Sequence, residues 1–259
     1  MTKKENKLVL LIALMMFLFY PGFSKKPDFR NVIIIAVDTL RADHIGCCGY
    51  PVNTTPAIDE FAKDGILFTR AYAPTPLTGP SFSTMMTSLP PYKHGAKRNG
   101  MSIYKNVKTV AYYLKKFGYR TAAFISNYFL KKKLTDLDRG FDIYSEVFTR
   151  KRWMGLFTSE GPADEVNRKV FYWLEKHHKK RFFLWAHYTE PHAPYMLHDD
   201  FIMHAKGKDV NRSLYPPGTV YSKIKKYDSE IAFTDYHIGR LIAKLKGLGH
   251  YEDSLIIFV

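Results

Sequence analysis

The sequence predicts an α/β domain built on a mainly parallel sheet flanked by helices on both faces. Apolar segments of strand length alternate along the chain with segments whose apolar residues recur at helical spacing. The first apolar segment, residues 32–37, has no polar interruption, which is typical of a parallel strand buried on both faces. The chain has 259 residues, of which 46% are hydrophobic, and this is enough to bury the core of one large domain.

The predicted elements follow the first strand in alternating order. Pro56 in a first turn and Gly65 at an end predict a helix over residues 55–65, and a short strand is predicted at Leu67–Thr69. The pattern further predicts helices over residues 107–117, 163–178 and 221–246, and strands over residues 119–125, 182–187 and 254–259. Residues 131–138 and 149–161 fit neither pattern and are predicted to be irregular insertions.

The first 24 residues differ in composition from the rest of the chain. Three lysines precede the apolar run Leu8–Tyr20. This run is shorter than the ~20 residues that span a bilayer, and it has the length of the apolar part of a secretory signal peptide. We expect residues 1–24 to direct export and residues 25–259 to form a domain in the periplasm or outside the cell. An uncleaved membrane anchor is the alternative, and only then would the membrane be a partner.

The composition is strongly basic. The net charge is +15, and +13 of it remains on residues 25–259, because the first 24 residues contribute three lysines against one glutamate. Such a charge favours anionic partners. We expect an anionic ester substrate carried by a small molecule, a glycan or a lipid headgroup. No nucleic-acid-binding motif accompanies the basic runs at residues 131–133 and 177–180, so nucleic acid is not an expected partner.

Two oxygen-bearing side chains lie where α/β sheets place their ligands. Asp38 directly follows the first strand, and Thr78 precedes a helix that is predicted to begin near Ser81, with Ser81 as its cap. A bound divalent cation lowers the pKa of a neighbouring hydroxyl, and amide N–H groups at a helix start hold an anionic ester. The two side chains predict a metal-assisted ester hydrolase in which their oxygen atoms lie within ~5 Å of each other.

Seven segments carry motifs that occur together in one protein family. These segments are Asn31–Tyr50, Asn53–Tyr72, Pro76–Gly95, Gly118–Phe124, Asp138–Asp142, Pro191–Tyr195 and Tyr227–Ala232. In this order they resemble the amino-terminal part of the sulfatase family, within the alkaline-phosphatase superfamily. The resemblance implies a sulfatase-like α/β fold, hydrolysis of sulfate or phosphate esters, and one divalent metal ion, which would be Ca²⁺, Mg²⁺, Mn²⁺ or Zn²⁺.

The resemblance also assigns roles to individual residues. It implies that Thr78 is the nucleophile and that His192 is a second catalytic residue, since an imidazole at a strand end can protonate a leaving group. It implies a metal site formed by Asp38, Thr39 and Thr78. Three further residues are expected to contact the substrate: His187, His94 and Arg98.

The sequence departs from the family pattern at several positions. Thr78 stands where the family has the Cys or Ser that is converted to formylglycine, and Phe82 stands where it has an arginine. Thr39 replaces a second carboxylate, and residues 124–127 replace a Gly-Lys-Trp-His segment. Three functions therefore stay open: a sulfate or phosphate ester hydrolase, a phosphodiesterase or phospho-group transferase that uses Thr78, and a non-catalytic anion-binding protein.

The last predicted strand, residues 254–259, stops at a position where the family continues with further metal ligands. From the resemblance we expect the sulfatase-like catalytic domain over residues 25–259 to be truncated at its carboxyl end. We also expect the fragment as given to be inactive, because it would lack part of the metal site.

Overall fold

The computed structural model describes residues 29–152, 157–201 and 221–259. The segment predicted to direct export, residues 1–24, lies outside these ranges. Within them, no helix combines the length and the apolar character needed to cross a membrane. The division into an export segment and a domain therefore stays a prediction.

The described residues form a five-stranded sheet in which all neighbouring strands are parallel. Its strands are β1 (Asn31–Val37), β2 (Arg120–Ile125), β3 (Ile143–Glu146), β6 (Phe182–Tyr188) and β7 (Ser254–Phe258), in the spatial order β3-β2-β6-β1-β7. A separate antiparallel pair consists of β4 (Arg150–Arg152) and β5 (Phe157–Glu160). The parallel sheet predicted from the sequence is confirmed.

Helices cover both faces of this sheet, as predicted. They are α1 (Pro56–Lys63), α2 (Thr78–Thr87), α3 (Pro91–His94), α4 (Val110–Lys116), α5 (Lys132–Thr135), α6 (Ala163–His177) and α7 (Tyr221–Gly247). On one face, Leu174 of α6 and Leu241 of α7 belong to a buried cluster. On the other face, Met86 of α2 and Ala111 of α4 belong to a second one. Burial on two faces explains the unbroken apolar sequence of β1.

Helix α2 begins one turn earlier than predicted. Ser81, which was expected to cap the helix, lies inside it, and its N–H donates to the carbonyl of Leu77 at 3.0 Å. Leu77 occupies the capping position without a side-chain hydrogen bond. Pro80 is compatible with the earlier start, because amide groups of the first turn have no partner within the helix. Thr78 is therefore the first helical residue.

Other short elements also differ from the prediction. The strand predicted at Leu67–Thr69 is absent: these residues are exposed and form no backbone hydrogen bond to a neighbouring strand within the described ranges, so nothing there stabilises a strand. The segments predicted to be irregular contain α5, β4 and β5. The sequence pattern also misses β3, because its four residues alternate too little between apolar and polar.

The carboxyl ends of β1, β2 and β6 meet at one edge of the sheet because these strands are parallel. Val37 pairs with Tyr188, and the N–H of Asp38 donates to the Tyr188 carbonyl at 2.9 Å. Ser126, which follows β2, donates its hydroxyl to the carbonyl of His187 at 2.8 Å. This edge is where open α/β sheets place their ligands, and Asp38, Thr78 and His187 meet there.

Candidate active site

The carboxylate of Asp38 forms the centre of the candidate site. It is buried, and its Oδ2 atom accepts hydrogen bonds from Asn127 Nδ2 at 2.7 Å and from Thr78 Oγ1 at 3.3 Å. The Nε2 atom of His187 lies 3.8 Å from the same oxygen. Asp38 and Thr78 thus approach within the ~5 Å expected for two ligands of one metal ion. Their roles in metal binding and catalysis stay predictions.

Burial raises the pKa of Asp38 above its ordinary value of 3.8, because the buried carboxylate loses the water that stabilises its charge. The positive charge of His192 and the hydrogen bonds from Thr78 and Asn127 act in the opposite direction, and burial outweighs them. Ionising Asp38 in the folded chain therefore costs free energy. A cation bound beside the carboxylate would offset that cost.

Thr78 lies at the amino end of α2, where a helix carries partial positive charge. Its side chain is half-buried, and its hydroxyl donates to Asp38. The next residue, Gly79, donates its N–H to Asn99 Oδ1 at 2.8 Å, and a β-carbon on Gly79 would lie 3.2 Å from that oxygen. Asn99 therefore fixes the first turn of α2, and with it the position of the Thr78 hydroxyl. An anionic ester beside this hydroxyl would be stabilised by the helix end.

Thr39 follows Asp38 in a left-handed backbone conformation, with φ of 58°, which β-branched residues rarely adopt. Its hydroxyl donates to the carbonyl of Pro191, and its carbonyl accepts a hydrogen bond from the Tyr227 hydroxyl at 2.7 Å. These contacts join the loop after β1 to the loop after β6 and to α7. Among the described residues, the hydroxyl of this predicted metal ligand is thus engaged by Pro191 and not by the Asp38 carboxylate.

His187 lies in β6 and is completely buried. Burial lowers its pKa to about 3, so the imidazole is neutral at physiological pH and is a weak proton donor for a leaving group. Its Nδ1 atom lies 3.5 Å from the Ser126 hydroxyl, and its ring packs against Phe82 with centroids 4.8 Å apart. The Nε2 atom of His187 lies close enough to Asp38 Oδ2 to influence that carboxylate. The predicted contact of His187 with substrate stays a prediction.

His192 follows β6 and has the opposite electrostatics. It is half-buried, and its Nδ1 atom lies 3.3 Å from Glu160 Oε1. Hydrogen bonding to Glu160 raises the pKa of His192; burial opposes this, and the nearby charge of Asp38 adds to it. More of the imidazole is therefore protonated at neutral pH than in a free histidine. A protonated imidazole can donate a proton to a departing oxygen.

The two remaining predicted residues differ in exposure. His94 ends α3 and is completely buried; its Nε2 atom lies 3.1 Å from Thr84 Oγ1 on α2, and its Nδ1 atom accepts the N–H of Ala96. Burial also lowers the pKa of His94. Its contacts fix α2 to α3, and its predicted contact with substrate stays a prediction. Arg98 is exposed, and it precedes Asn99, whose side chain contacts α2.

The donor atoms at this edge fit part of a site for a hard divalent cation. In residues 29–152, 157–201 and 221–259, no group of three or more His, Cys, Asp or Glu side chains is arranged to hold a metal ion. Asp38 and Thr78 offer two hard oxygen donors, which lie 3.3 Å apart. This separation is compatible with two ligands that each lie ~2.0–2.6 Å from one ion. Asn127 is not a ligand as oriented, because its Oδ1 atom accepts the N–H of Phe129 at 2.9 Å.

Comparison with known families covers almost the whole chain. Residues 30–259 match the family model described as Sulfatase. This chain belongs to the sulfatase family. The family resemblance drawn from the sequence motifs is therefore confirmed. Members of the family are hydrolases that act on sulfate esters, and they are generally metal-dependent.

Two similar curated proteins come from Formosa agariphila. An ulvan-active sulfatase is 27% identical over 207 residues, which cover 80% of this chain and 36% of that protein. A second protein, described as a sulfatase, is 24% identical over an alignment of 296 positions that covers 90% of this chain and 58% of that protein. The chain thus spans 36% and 58% of the length of these relatives, so their activities are not carried over by the match alone.

A solved structure shares the fold. The crystal structure of Ps i-CgsB in complex with k-i-k-neocarrahexaose superimposes with a TM-score of 0.70 at 23% identity, covering 90% of this chain and 58% of that one. At this identity the similarity shows the fold alone. It agrees with the parallel sheet and flanking helices described above, and the sulfatase-like fold class is confirmed.

Three residues that contact this site are not indicated by the sequence patterns. Asn127 follows β2 as Asp38 follows β1, so the rule that singles out Asp38 at a strand end also applies to it. Glu160 ends β5, in a segment predicted to be irregular, and Asn99 lies in a loop. No sequence pattern indicates the contacts of Glu160 and Asn99, because both depend on the path of loops.

Proposed function

We propose that this chain carries the active site of an exported, metal-dependent hydrolase of sulfate or phosphate esters, with Thr78 as the nucleophile. The supporting observation is the convergence of the Thr78 hydroxyl and the Asn127 amide on one buried oxygen of Asp38, at the amino end of α2. This arrangement brings together a nucleophile, a cation ligand and a positive helix end. Export to the periplasm or cell exterior rests on residues 1–24, and if retained they would anchor the protein to a membrane.

The reaction would use few groups of the chain. Asp38 and Thr78 would hold the ion, which when bound supplies a Lewis acid that lowers the pKa of the hydroxyl. The Thr78 oxygen attacks sulfur or phosphorus, and its proton passes along the existing hydrogen bond to Asp38 Oδ2. Protonated His192 gives its proton to the alcohol oxygen as the ester bond breaks. Water then attacks sulfur or phosphorus and gives a proton to His192, while the Thr78 oxygen takes its proton back from Asp38 as sulfate or phosphate leaves.

A sulfated glycan is the substrate class that charge and relatives favour. The net charge of +13 on residues 25–259 attracts an anionic ester. One relative is described as ulvan-active, and one structural neighbour was solved with k-i-k-neocarrahexaose. An ester on a small molecule or a lipid headgroup would meet the same positive charge, but no relative named above points to one.

A phosphodiesterase or phospho-group transferase is the second candidate, and Phe82 favours it. This residue replaces the arginine of the formylglycine signature, and its ring packs against His187 and Trp185 with centroids 4.8 and 5.7 Å apart. The site thus lacks both the convertible Cys or Ser and that arginine. The Thr78 hydroxyl is a nucleophile that can form a bond to phosphorus without prior oxidation.

A substrate panel tests these functions. The full-length protein is supplied with Ca²⁺, Mg²⁺, Mn²⁺ or Zn²⁺ and with sulfate monoesters, phosphate monoesters and phosphodiesters, including sulfated oligosaccharides. We expect metal-dependent turnover, with the highest kcat/KM for a sulfated oligosaccharide. A higher kcat/KM for phosphodiesters would establish the second candidate. Calorimetric binding of sulfate without turnover of any ester would contradict the proposal and identify a non-catalytic anion-binding protein.

Replacing Glu160 with glutamine should shift the pH dependence of the reaction. Glu160 raises the pKa of His192, and a neutral amide does so less. Since protonated His192 is the proposed donor, the rate should fall as the pH rises through the pKa of His192. The Glu160→Gln variant should therefore lose activity at a lower pH than the parent protein, as measured by kcat against pH.

Glu165→Gln provides the matched control for this measurement. Glu165 forms an ion pair with Arg168 on the exposed side of α6, with the two charged groups 2.5 Å apart, and so its partner is not His192. Its substitution should leave the pH profile unchanged. If the Glu160→Gln variant and the parent lost activity at the same pH, Glu160 would not control the protonation of His192.

A further inference from the structure

A pair of histidines lies at the edge of the sheet opposite to Asp38. His178 directly follows α6, which leads into β6, and His250 lies in the turn between α7 and β7. Both are therefore at the amino ends of strands, whereas the candidate active site is at the carboxyl ends. The proposed reaction uses neither residue, and it gives no role to the basic run of residues 177–180.

The two imidazoles face each other at a distance that suits a shared metal ion. His178 Nδ1 lies 3.4 Å from His250 Nε2, with ring centroids 5.5 Å apart and ring planes inclined by 60°. This distance exceeds the ~2.7–3.2 Å of a good hydrogen bond. It agrees with the separation of about 3.3 Å between two nitrogen ligands of a tetrahedral zinc ion whose Zn–N bonds are ~2.0–2.1 Å.

The far side of His250 is arranged like that of a metal-binding histidine. Its Nδ1 atom lies 3.4 Å from Asp253 Oδ2, so a carboxylate stands on the side of the ring away from His178, as it does beside many metal-binding histidines. Asn31 Nδ2 is also 3.4 Å from Nδ1, but it has shorter contacts with Asp253 Oδ1 at 3.1 Å and Ser254 Oγ at 3.2 Å for its two hydrogens. With its proton on Nδ1, toward Asp253, the imidazole of His250 would present the Nε2 lone pair to an ion shared with His178.

The ends of two helices fix the pair and favour a cation. The N–H of His178 donates to the carbonyl of Leu174 in α6, and the N–H of His250 donates to that of Leu245 in α7, each at 2.9 Å. Backbone hydrogen bonds therefore hold both residues in place. Helix carboxyl ends carry partial negative charge, which attracts a positive ion.

We propose that His178 and His250 form a two-histidine site for Zn²⁺, with water in the remaining positions. The ion would join the end of α6 to the turn before β7. Lys179, Lys244 and Arg30 place positive charge near His178, so an ion held mainly by charge is disfavoured. Imidazole nitrogen suits Zn²⁺, whereas Ca²⁺ and Mg²⁺ prefer oxygen ligands. The site therefore differs in metal preference from the oxygen donors at Asp38.

Calorimetric titration with Zn²⁺ tests this site, both on the parent protein and on an Asp38→Asn variant that has lost the carboxylate of the candidate active site. We expect Zn²⁺ to bind both proteins at His178 and His250, without competition from excess Ca²⁺ or Mg²⁺. At a hundredfold excess over Kd, Zn²⁺ should raise Tm by roughly 5–10 °C. His178→Ala and His178→Gln should each weaken binding at least about tenfold, and Asp253→Asn should do so about tenfold.

His177→Ala is the matched control, because the neighbouring imidazole packs against Trp173 with ring centroids 5.3 Å apart. This variant should bind Zn²⁺ like the parent. Absence of Zn²⁺ binding in the Asp38→Asn protein would overturn the proposal, as would unchanged binding in both His178 variants. The half-exposed position of His178 makes these variants compatible with folding, which circular dichroism checks. Since the site lies apart from Asp38, its failure would leave the proposed function untouched.

Discussion

Replacing Thr78 with alanine should abolish turnover, with kcat falling by roughly 10⁴-fold or more, because the change removes the oxygen that bonds to sulfur or phosphorus. Stability should change little, since the lost contact is one hydrogen bond of 3.3 Å from a half-buried side chain. Thr78→Ser keeps a hydroxyl at the same place and should retain measurable activity. The measurement is kcat of the metal-loaded, full-length protein on the best substrate of the panel.

Ser81→Ala is the matched control for this experiment. Ser81 lies in the same helix, one turn beyond Thr78, so its substitution tests whether any lost hydroxyl in α2 reduces activity. It should reduce kcat far less than Thr78→Ala does. Turnover retained in the Thr78→Ala variant would rule out covalent catalysis by this residue, and a selective loss in the Ser81 variant would identify Ser81 as the nucleophile.

The order of strands and long helices can be predicted from the sequence because each leaves a pattern of adequate length. The apolar run of β1 marks a strand buried on two faces, and α6 places Val166, Val170 and Leu174 at helical spacing toward the core. Shorter elements leave no such pattern. The start of α2 is misjudged because Pro80 resembles a helix boundary, although a proline is tolerated anywhere in the first turn.

The site is predictable only where it follows from sheet topology. Asp38 is found because it ends a strand, and Thr78 because it precedes a helix. The direction of the Thr39 hydroxyl depends on a left-handed backbone conformation that its sequence does not indicate. Glu160 reaches His192 from a separate two-stranded sheet, and such a contact between distant segments has no signature in either segment.

Replacing Asp38 with asparagine should lower metal-dependent activity at least about 10³-fold and at the same time raise the Tm of the metal-free protein. Asparagine has a similar shape, and its amide oxygen can accept the hydrogen bonds from Asn127 and Thr78. It carries no charge to bind a cation. It also has no charge to desolvate, which is why stability should increase, at ~2–4 °C for each kcal/mol recovered in a chain of this size.

The pH dependence of this stabilisation follows from the raised pKa of Asp38. The folded state favours the protonated carboxyl. The stability that the protonated form contributes is fully present below pH 3.8, and it is lost as the pH rises through the folded-state pKa of Asp38. Asparagine stays neutral throughout. The Tm of the Asp38→Asn variant should therefore exceed that of the parent at neutral pH, and the difference should vanish in acid, as thermal unfolding at a series of pH values measures.

Asp142→Asn is the control of opposite sign. Burial acts against ionisation of Asp142, but the hydrogen bonds from Lys115 and from the Thr121 N–H outweigh it and lower its pKa. Its substitution should lower Tm at neutral pH, and that loss should shrink as the pH falls through the folded-state pKa.

Adding the divalent metal should stabilise the parent by RT ln(1 + [L]/Kd), so that the Tm of the parent exceeds that of the Asp38→Asn variant. If that variant were less stable than the metal-free parent at neutral pH, the chain's own groups would already compensate the buried charge, and the case for a cation at Asp38 would fail.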